Sequence, residues 1–286
     1  MQLQVLAQTF VNSISLSLIY IVFAVGLTLS ASVFDSWNFA FGEFIMAAGF
    51  VTYLVTRKWG LGYPVAFIAA IALLSLLGII FEKVIFYPMR NRPSMASSLA
   101  TFGAVGILQT VALLIFGGNP VGTPPIMSGQ AHIGKIVFAM ENLPVIIGAL
   151  LMMSLLFLFI QRTKFGLAIR ALQQEPTAAA LQGVKIATIR IIVWIVASCM
   201  AAAAGVLLAP VESVYPTVGG GLLLQGFVVV ILGGLGSIPG ALIGGFTLGF
   251  VNSFGMTYLG TYSYMLSFGI LMLVIILRPQ GLLGRR

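Results

Sequence analysis

Six acidic side chains, one histidine and one cysteine make up nearly all the acid–base and metal-ligating chemistry of this 286-residue chain. The acids, Asp35, Glu43, Glu82, Glu141, Glu175 and Glu212, are scattered rather than paired. No serine is paired with the histidine, and neither His-x-x-x-His nor Cys-x-x-Cys occurs. His132 lies in a loop with no cysteine or carboxylate beside it. Cys199, being alone, forms no intrachain disulfide and no cysteine-rich metal site. The phosphate loop G-x-x-x-x-G-K-[ST] is absent, so nucleotide hydrolysis by the chain itself is not expected. These residues predict a protein that is not an enzyme and binds no cofactor or metal directly.

The remaining candidates are polar groups set in apolar sequence. Glu43 lies five residues beyond Asn38 in NFAFGEF, and Gln109, Gln225 and Asn252 sit in other apolar runs. Polar groups in lipid are costly and turn toward a bundle interior or a path. Asn38, Glu43, Gln109, Gln225 and Asn252 are therefore candidates for a translocation path, with Glu43 suited to a substrate ammonium. The structural alternative is equally physical. A carboxylate near a helix start is favoured by the macrodipole, and amides knit neighbouring helices together. Glu212, in APVESVYPTVGGG, reads either as a contact for an outer partner or as a solvated loop carboxylate. The glycines at 233, 234, 236, 240, 244, 245 and 249 allow either close helix packing or a broken helix.

The elements that hold these groups follow from composition. The chain is 60% hydrophobic and 7% charged, with a mean hydropathy of +1.12, too apolar to cover a soluble surface. A membrane helix needs about 20 apolar residues. Candidate spans lie near 8–30, 38–56, 64–86, 97–116, 143–160, 188–209, 221–236, 238–257 and 261–277. They do not alternate in polarity as barrel strands do, so an all-α polytopic bundle of eight or nine helices is predicted, within a single domain, 1–286. The seventh span is short, and a re-entrant segment near 221–245 is the main threat to the count. The first span has no basic leader and reads as a retained helix.

The net charge of +8 suggests nucleic acid only until the basic residues are placed. Nine crossings with the N-terminus outside put Lys83, Arg90, Arg92, Arg162, Lys164, Arg170, Lys185, Arg190, Arg278, Arg285 and Arg286 in the cytoplasm, and leave Arg57, Lys58 and Lys135 outside. Membrane topology thus accounts for the charge, and no nucleic acid is implied.

The cytoplasmic segment RALQQEPTAAALQGVKI, residues 170–186, predicts one short helix. Pro176 suits its first position, Thr177 to Gln182 are mostly helix formers, and Gly183 suits a left-handed end. Such a helix is too short to stand alone. Either a partner holds it, with Ala179 facing a groove that accepts only small side chains and Arg170 and Lys185 as flanking anchors, or it is an ordinary linker.

The stretch TKFGLAIRALQQEPTAAALQGV resembles the cytoplasmic loop of the permease subunits of branched-chain amino acid ABC transporters. WNFAFGEFIMAAGF, YPMRNRPSMASSLATFG, GFVVVILGGLGSIPGALIGG and ILRPQGLLG resemble other parts of that family in order along the chain. The family's Glu-Ala-Ala pattern appears here as Thr177-Ala178-Ala179, with Gly183 kept and Glu175 before the proline. The resemblance implies a type II ABC importer fold in a bacterial-type cytoplasmic (inner) membrane. It implies a second homologous permease subunit, two ATPase subunits that use ATP, and an extracytoplasmic substrate-binding protein. It also implies that the loop at about 161–187 couples to the ATPases through Gly166, Arg170, Glu175, Thr177, Ala178, Ala179 and Gly183. The substrate expected is a branched-chain or other hydrophobic amino acid, or a related small solute. The competing reading is a stand-alone channel or uniporter for a small neutral solute such as urea, which would not need the basic loop and its short helix.

Overall fold

The computed structural model describes residues 2–283 apart from Asp35, Ser128, Gly134, Lys135, Leu235 and Pro279, and describes the backbone alone at 2, 3, 130–133, 136–138 and 261. The helices are α1 (Gln2–Phe34), α2 (Phe41–Tyr53), α3 (Tyr63–Phe81), α4 (Tyr87–Met89), α5 (Ser94–Phe116), α6 (Asn142–Arg162), α7 (Lys164–Gln174), α8 (Pro176–Leu181), α9 (Ile186–Leu208), α10 (Val218–Gly233), α11 (Ile238–Leu259) and α12 (Ser263–Leu277). Wider π-helical turns at Leu54–Lys58 and Glu82–Phe86 extend α2 and α3. Six helices are long and apolar enough to cross a membrane, and α10 and α12 are shorter apolar helices. With α2, the described residues contain an apolar helix at each of the nine expected spans. The loop after α5 adds one small antiparallel hairpin, β1 (Gln130–Ile133) with β2 (Ile136–Ala139).

Side-chain contacts define the two ends. At one end Arg190 of α9 pairs with Glu82 at 2.8 Å, Gln173 of α7 donates to Ser32 of α1 at 2.7 Å, and the Leu282 and Leu283 amides bond the last carbonyls of α10. At the other end Asn142 bonds Asn12, the Ala139 amide donates to Gln8, and Val121 pairs with Val214 through both backbone bonds. Lys83, Arg90, Arg92, Arg162, Lys164, Arg170, Lys185, Arg190 and Arg278 lie at the first end, and Arg57 and Lys58 at the second. This segregation identifies the first end as cytoplasmic. Lys135, Arg285 and Arg286 lie outside the described residues, as does the side chain of His132.

Alternate helices run in opposite directions, and the core is built on small residues that bring backbones together. In α11, Gly240 and Gly244 meet α10 at Gly233 and Val229, while Gly245 and Gly249 meet α1 at Ile21 and Ser17. Close approach of this kind is how helices associate where lipid removes a hydrophobic drive. The glycines are thus packing surfaces. The α10–α11 connection is a tight cytoplasmic turn, with Gly234 at φ 104° and Gly236 at φ 78°.

The non-helical membrane backbone lies elsewhere. The span expected to begin at 38 becomes helical only at Phe41. Residues 36–40 run back inward after α1, and their amides are satisfied by α5. Trp37 N donates to Ser98 Oγ at 3.1 Å, Phe39 N to Thr101 Oγ1 at 3.0 Å, and Ala40 N to Asn38 Oδ1 at 3.0 Å. Irregular backbone survives at membrane depth only when paired in this way. Residues 213–217 similarly lead inward to α10, with the Val214 side chain against Gly49.

These two lead-ins occupy matching places in two helix triplets, α1–α3 and α9–α11, that run in opposite directions. α3 packs on α9 as α11 packs on α1, and α2 leans on α9 and α3 as α10 leans on α1 and α11. The contacts of α1 with α9 and of α2 with α10 join the halves. The starts of α2 and α10 meet inside the bundle, where Gly42 lies against the Gly219 carbonyl.

Candidate translocation site and coupling arm

Glu43 lies where the two short helices begin. It is in the first turn of α2, and its carboxylate lies against Gly219 in the first turn of α10. Both helix dipoles therefore favour negative charge at this point. Glu43 is 1% exposed. Its Oε1 accepts a hydrogen bond from Gln109 Nε2 of α5 at 2.9 Å, and its Oε2 has no protein partner. Asn38 is also buried, and its Oδ1 caps the lead-in while its Nδ2 has no partner.

Gln225 and Asn252 form a separate group. Asn252 Nδ2 donates to Gln225 Oε1 and to Tyr20 Oη, each at 3.1 Å, and Ser267 donates to Asn252 Oδ1. One amide thus ties α1, α10, α11 and α12 together. The structure brings together Glu43 with Gln109, and Gln225 with Asn252, but does not gather all five candidates into one site. Gln109 alone of the five is only partly buried. Sequence reasoning missed Ser98, Thr101 and Gly219, although the Ser97-Ser98-Leu99-Ala100-Thr101 run at the start of a membrane span marks a helix face rich in hydroxyls.

At the cytoplasmic end α7 and α8 form an arm. Thr163 caps α7, accepting from Gly166 N at 3.0 Å. Gly166 must be small because a Cβ there would run into the Ile160 backbone at the end of α6. Glu175 caps α8 and accepts from Thr177 N at 3.4 Å. The helix closes as a Schellman motif. Val184 N bonds Ala179 O, Gly183 N bonds Ala180 O, and Gly183 takes φ 83°.

Two expectations about the arm need correction. Ala179 does not face a partner groove. It is 4% exposed and packed into the chain's own core, so this contact is what holds the short helix. The outward face carries Thr177, Ala178, Ala180 and Leu181, and Leu181 is 84% exposed. Arg170 does not flank the arm as a surface anchor. It turns into a cleft beneath the arm, where its Nε is buried without a partner.

Glu212, beyond the outer end of α9, is not a freely solvated carboxylate. It lines a polar recess of about 420 Å³ with Gln8, Asn12, Tyr20, Glu141 and Asn142. Burial pushes its carboxyl above the usual range.

The family model described as "Branched-chain amino acid transport system / permease component" matches residues 9–276. The chain is 31% identical to the high-affinity branched-chain amino acid transport system permease protein LivH of Salmonella typhimurium, covering 97% of this chain and 95% of that one. It is 29% identical to the corresponding permease BraD of Pseudomonas aeruginosa, with the same 97% and 95% coverage. It is 28% identical to the ribose import permease RbsC of Escherichia coli over 91% of this chain and 78% of that one. No solved structure matches the chain significantly. Nine apolar helices, a basic cytoplasmic arm and a match along nearly the whole length converge on one assignment: this multi-pass membrane protein belongs to the branched-chain amino acid transport permease family.

Proposed function

We propose that the chain forms half of the translocation pathway of an ATP-driven importer in the cytoplasmic membrane. A second, similar permease supplies the other half, an extracytoplasmic protein delivers the substrate, and two ATPase subunits dock on the arm. The substrate class proposed is branched-chain or other hydrophobic amino acids, or a small solute related to them, in keeping with the names of the LivH and BraD relatives. The path runs beside α5 and α10, where the partly buried Gln109 hydrogen-bonds the buried Glu43. Glu43 acts there through Gln109, fixing α5 against the paired helix starts.

One observation carries the reading. α8 is a six-residue helix capped at both ends, held from within by Ala179, and it presents Leu181 to the cytoplasm. A free-standing channel has no use for a rigid, apolar-tipped lever. Where an apolar side chain anchors an interface its loss can cost about 2 kcal/mol, and about 1.4 kcal/mol is tenfold in affinity. The Leu181→Asp variant is therefore expected to lower ATPase-subunit retention by about tenfold or more. Substrate uptake in proteoliposomes should be lost with it, while the melting temperature of the permease is kept. Full retention and full uptake by Leu181→Asp would remove the docking role, and uptake by the permease alone would favour a uniporter.

A further inference from the structure

A cleft of about 460 Å³ opens at the cytoplasmic end between α1, α6, α7 and the α10–α11 turn. This is within the size range of small-molecule sites, about 300–1,000 Å³. Its walls are mainly apolar, with Leu29, Met153, Phe157, Ile169 and Leu242 among them, and no Asp or Glu lines it among the described residues. Arg170 projects into it with a buried Nε that has no hydrogen-bond partner. A buried N–H left unpaired is costly, and an anion in the cleft would satisfy it. Its planar fork matches phosphate. The first turn of α11, at Ser237 to Pro239, adds a helix N-terminus to the rim.

The cleft opens beside the lipid-facing side of α6. The outward face of α6 is exposed and apolar at Ile147, Leu150, Leu151, Leu155 and Leu158. α6 packs on α1 and α9, away from the paired helix starts of α2 and α10, and so toward hydrocarbon. The same helix ends at exposed Arg162, and exposed Lys164 opens α7 beside it, where headgroups lie. Basic pockets between helices on the cytoplasmic side are suited to anionic headgroups.

We propose that this cleft binds an anionic phospholipid of the cytoplasmic leaflet, with an acyl chain along Met153, Phe157 and Leu242 and the phosphate on Arg170. The lipid fills the joint between the bundle and α7, the root of the arm, and so splints it.

The test is to place the full chain, co-expressed with its partner subunits, in nanodiscs of equal phosphatidylglycerol and phosphatidylcholine. Native mass spectrometry after mild detergent release then reads the lipid retained. Wild type should favour phosphatidylglycerol by about fivefold or more, matching about 1 kcal/mol per basic residue near an anionic surface. Arg170→Gln should bring the ratio near one, and Leu242→Trp, which fills the apolar wall, should reduce retention of both lipids. Unchanged retention in both variants overturns the proposal. So does displacement of phosphatidylglycerol by millimolar inorganic phosphate, which would mark a soluble-anion site. If Arg170→Gln does not fold, Leu242→Trp decides alone. The readout is lipid, so the result stands whatever the transported substrate.

Discussion

The inward-running segments before α2 and α10 solve the same backbone problem with different means. Before α2, residues 36–40 lend their amides to side chains, chiefly Ser98 and Thr101 of α5. Before α10, Val214 exchanges both backbone bonds with Val121, and no side chain is needed. The helices that follow also divide the work. α2 brings the carboxylate of Glu43, and α10 brings the bare Gly219 on which it rests. Of two similarly placed helix starts, one carries the polar group and the other the small residue, and the site exists only where the two meet.

The largest test of that division is Gly42→Ala. The added Cβ would enter the Gly219 carbonyl and lie 2.8 Å from the Leu223 Cβ, with backbone opposing it. We expect a loss of about 3 kcal/mol, read as a marked fall in melting temperature in detergent. Gly220→Ala is the control, because nothing lies within 4 Å of that position. Equal behaviour of the two variants would break the comparison.

Thr101→Val comes next. It removes the acceptor for the Phe39 amide while keeping the shape of the side chain. A buried donor left unpaired costs about 1–3 kcal/mol. Val121→Ala, at the loop residue that pairs with the other segment, keeps its backbone bonds and should cost less than Thr101→Val. The reverse order would show that side chains support both segments.

The smallest effect is one of pH. Burial raises the Glu212 carboxyl in the folded chain, so the folded state holds a proton that the unfolded state releases. Stability from this group is fully present below about pH 4.3, the ordinary carboxylate value. It falls as pH rises through the higher folded value. Glu212→Gln should remove that part of the slope, measured as the wild-type minus variant difference in melting temperature from about pH 4 to 8. Parallel curves would place Glu212 in water.

Much of this was legible in the sequence, and the exceptions are instructive. The spans and their direction could be read because Arg, Lys, Pro and Gly punctuate apolar runs. The ends of α8 could be read because Pro176 and Gly183 act locally. The non-helical start of the second span could not, since Ser36 to Ala40 is apolar enough to pass for helix. Only α5, about sixty residues on, satisfies its amides. The inward turn of Ala179 was hidden because six residues are too few to define an apolar face. The direction of Arg170 depends on α6 and α11, which no local pattern specifies. The hairpin at 130–139 passed for loop because each strand is only four residues long.

The ion pair at the cytoplasmic end has a consequence for the order of events during synthesis. Glu82 and Arg190 lie 108 residues apart in the chain, and Glu82 is buried in the finished bundle. At about 5–20 residues per second, the carboxylate waits roughly 5–20 s for its partner to leave the ribosome. α3 cannot take its final seat until α9 arrives with Arg190, whose guanidinium also stacks on Phe34 at 4.8 Å. The cytoplasmic ends of α1, α3 and α9 therefore close as a late latch, fastened only after α1, α2, α3, α5 and α6 have already been threaded.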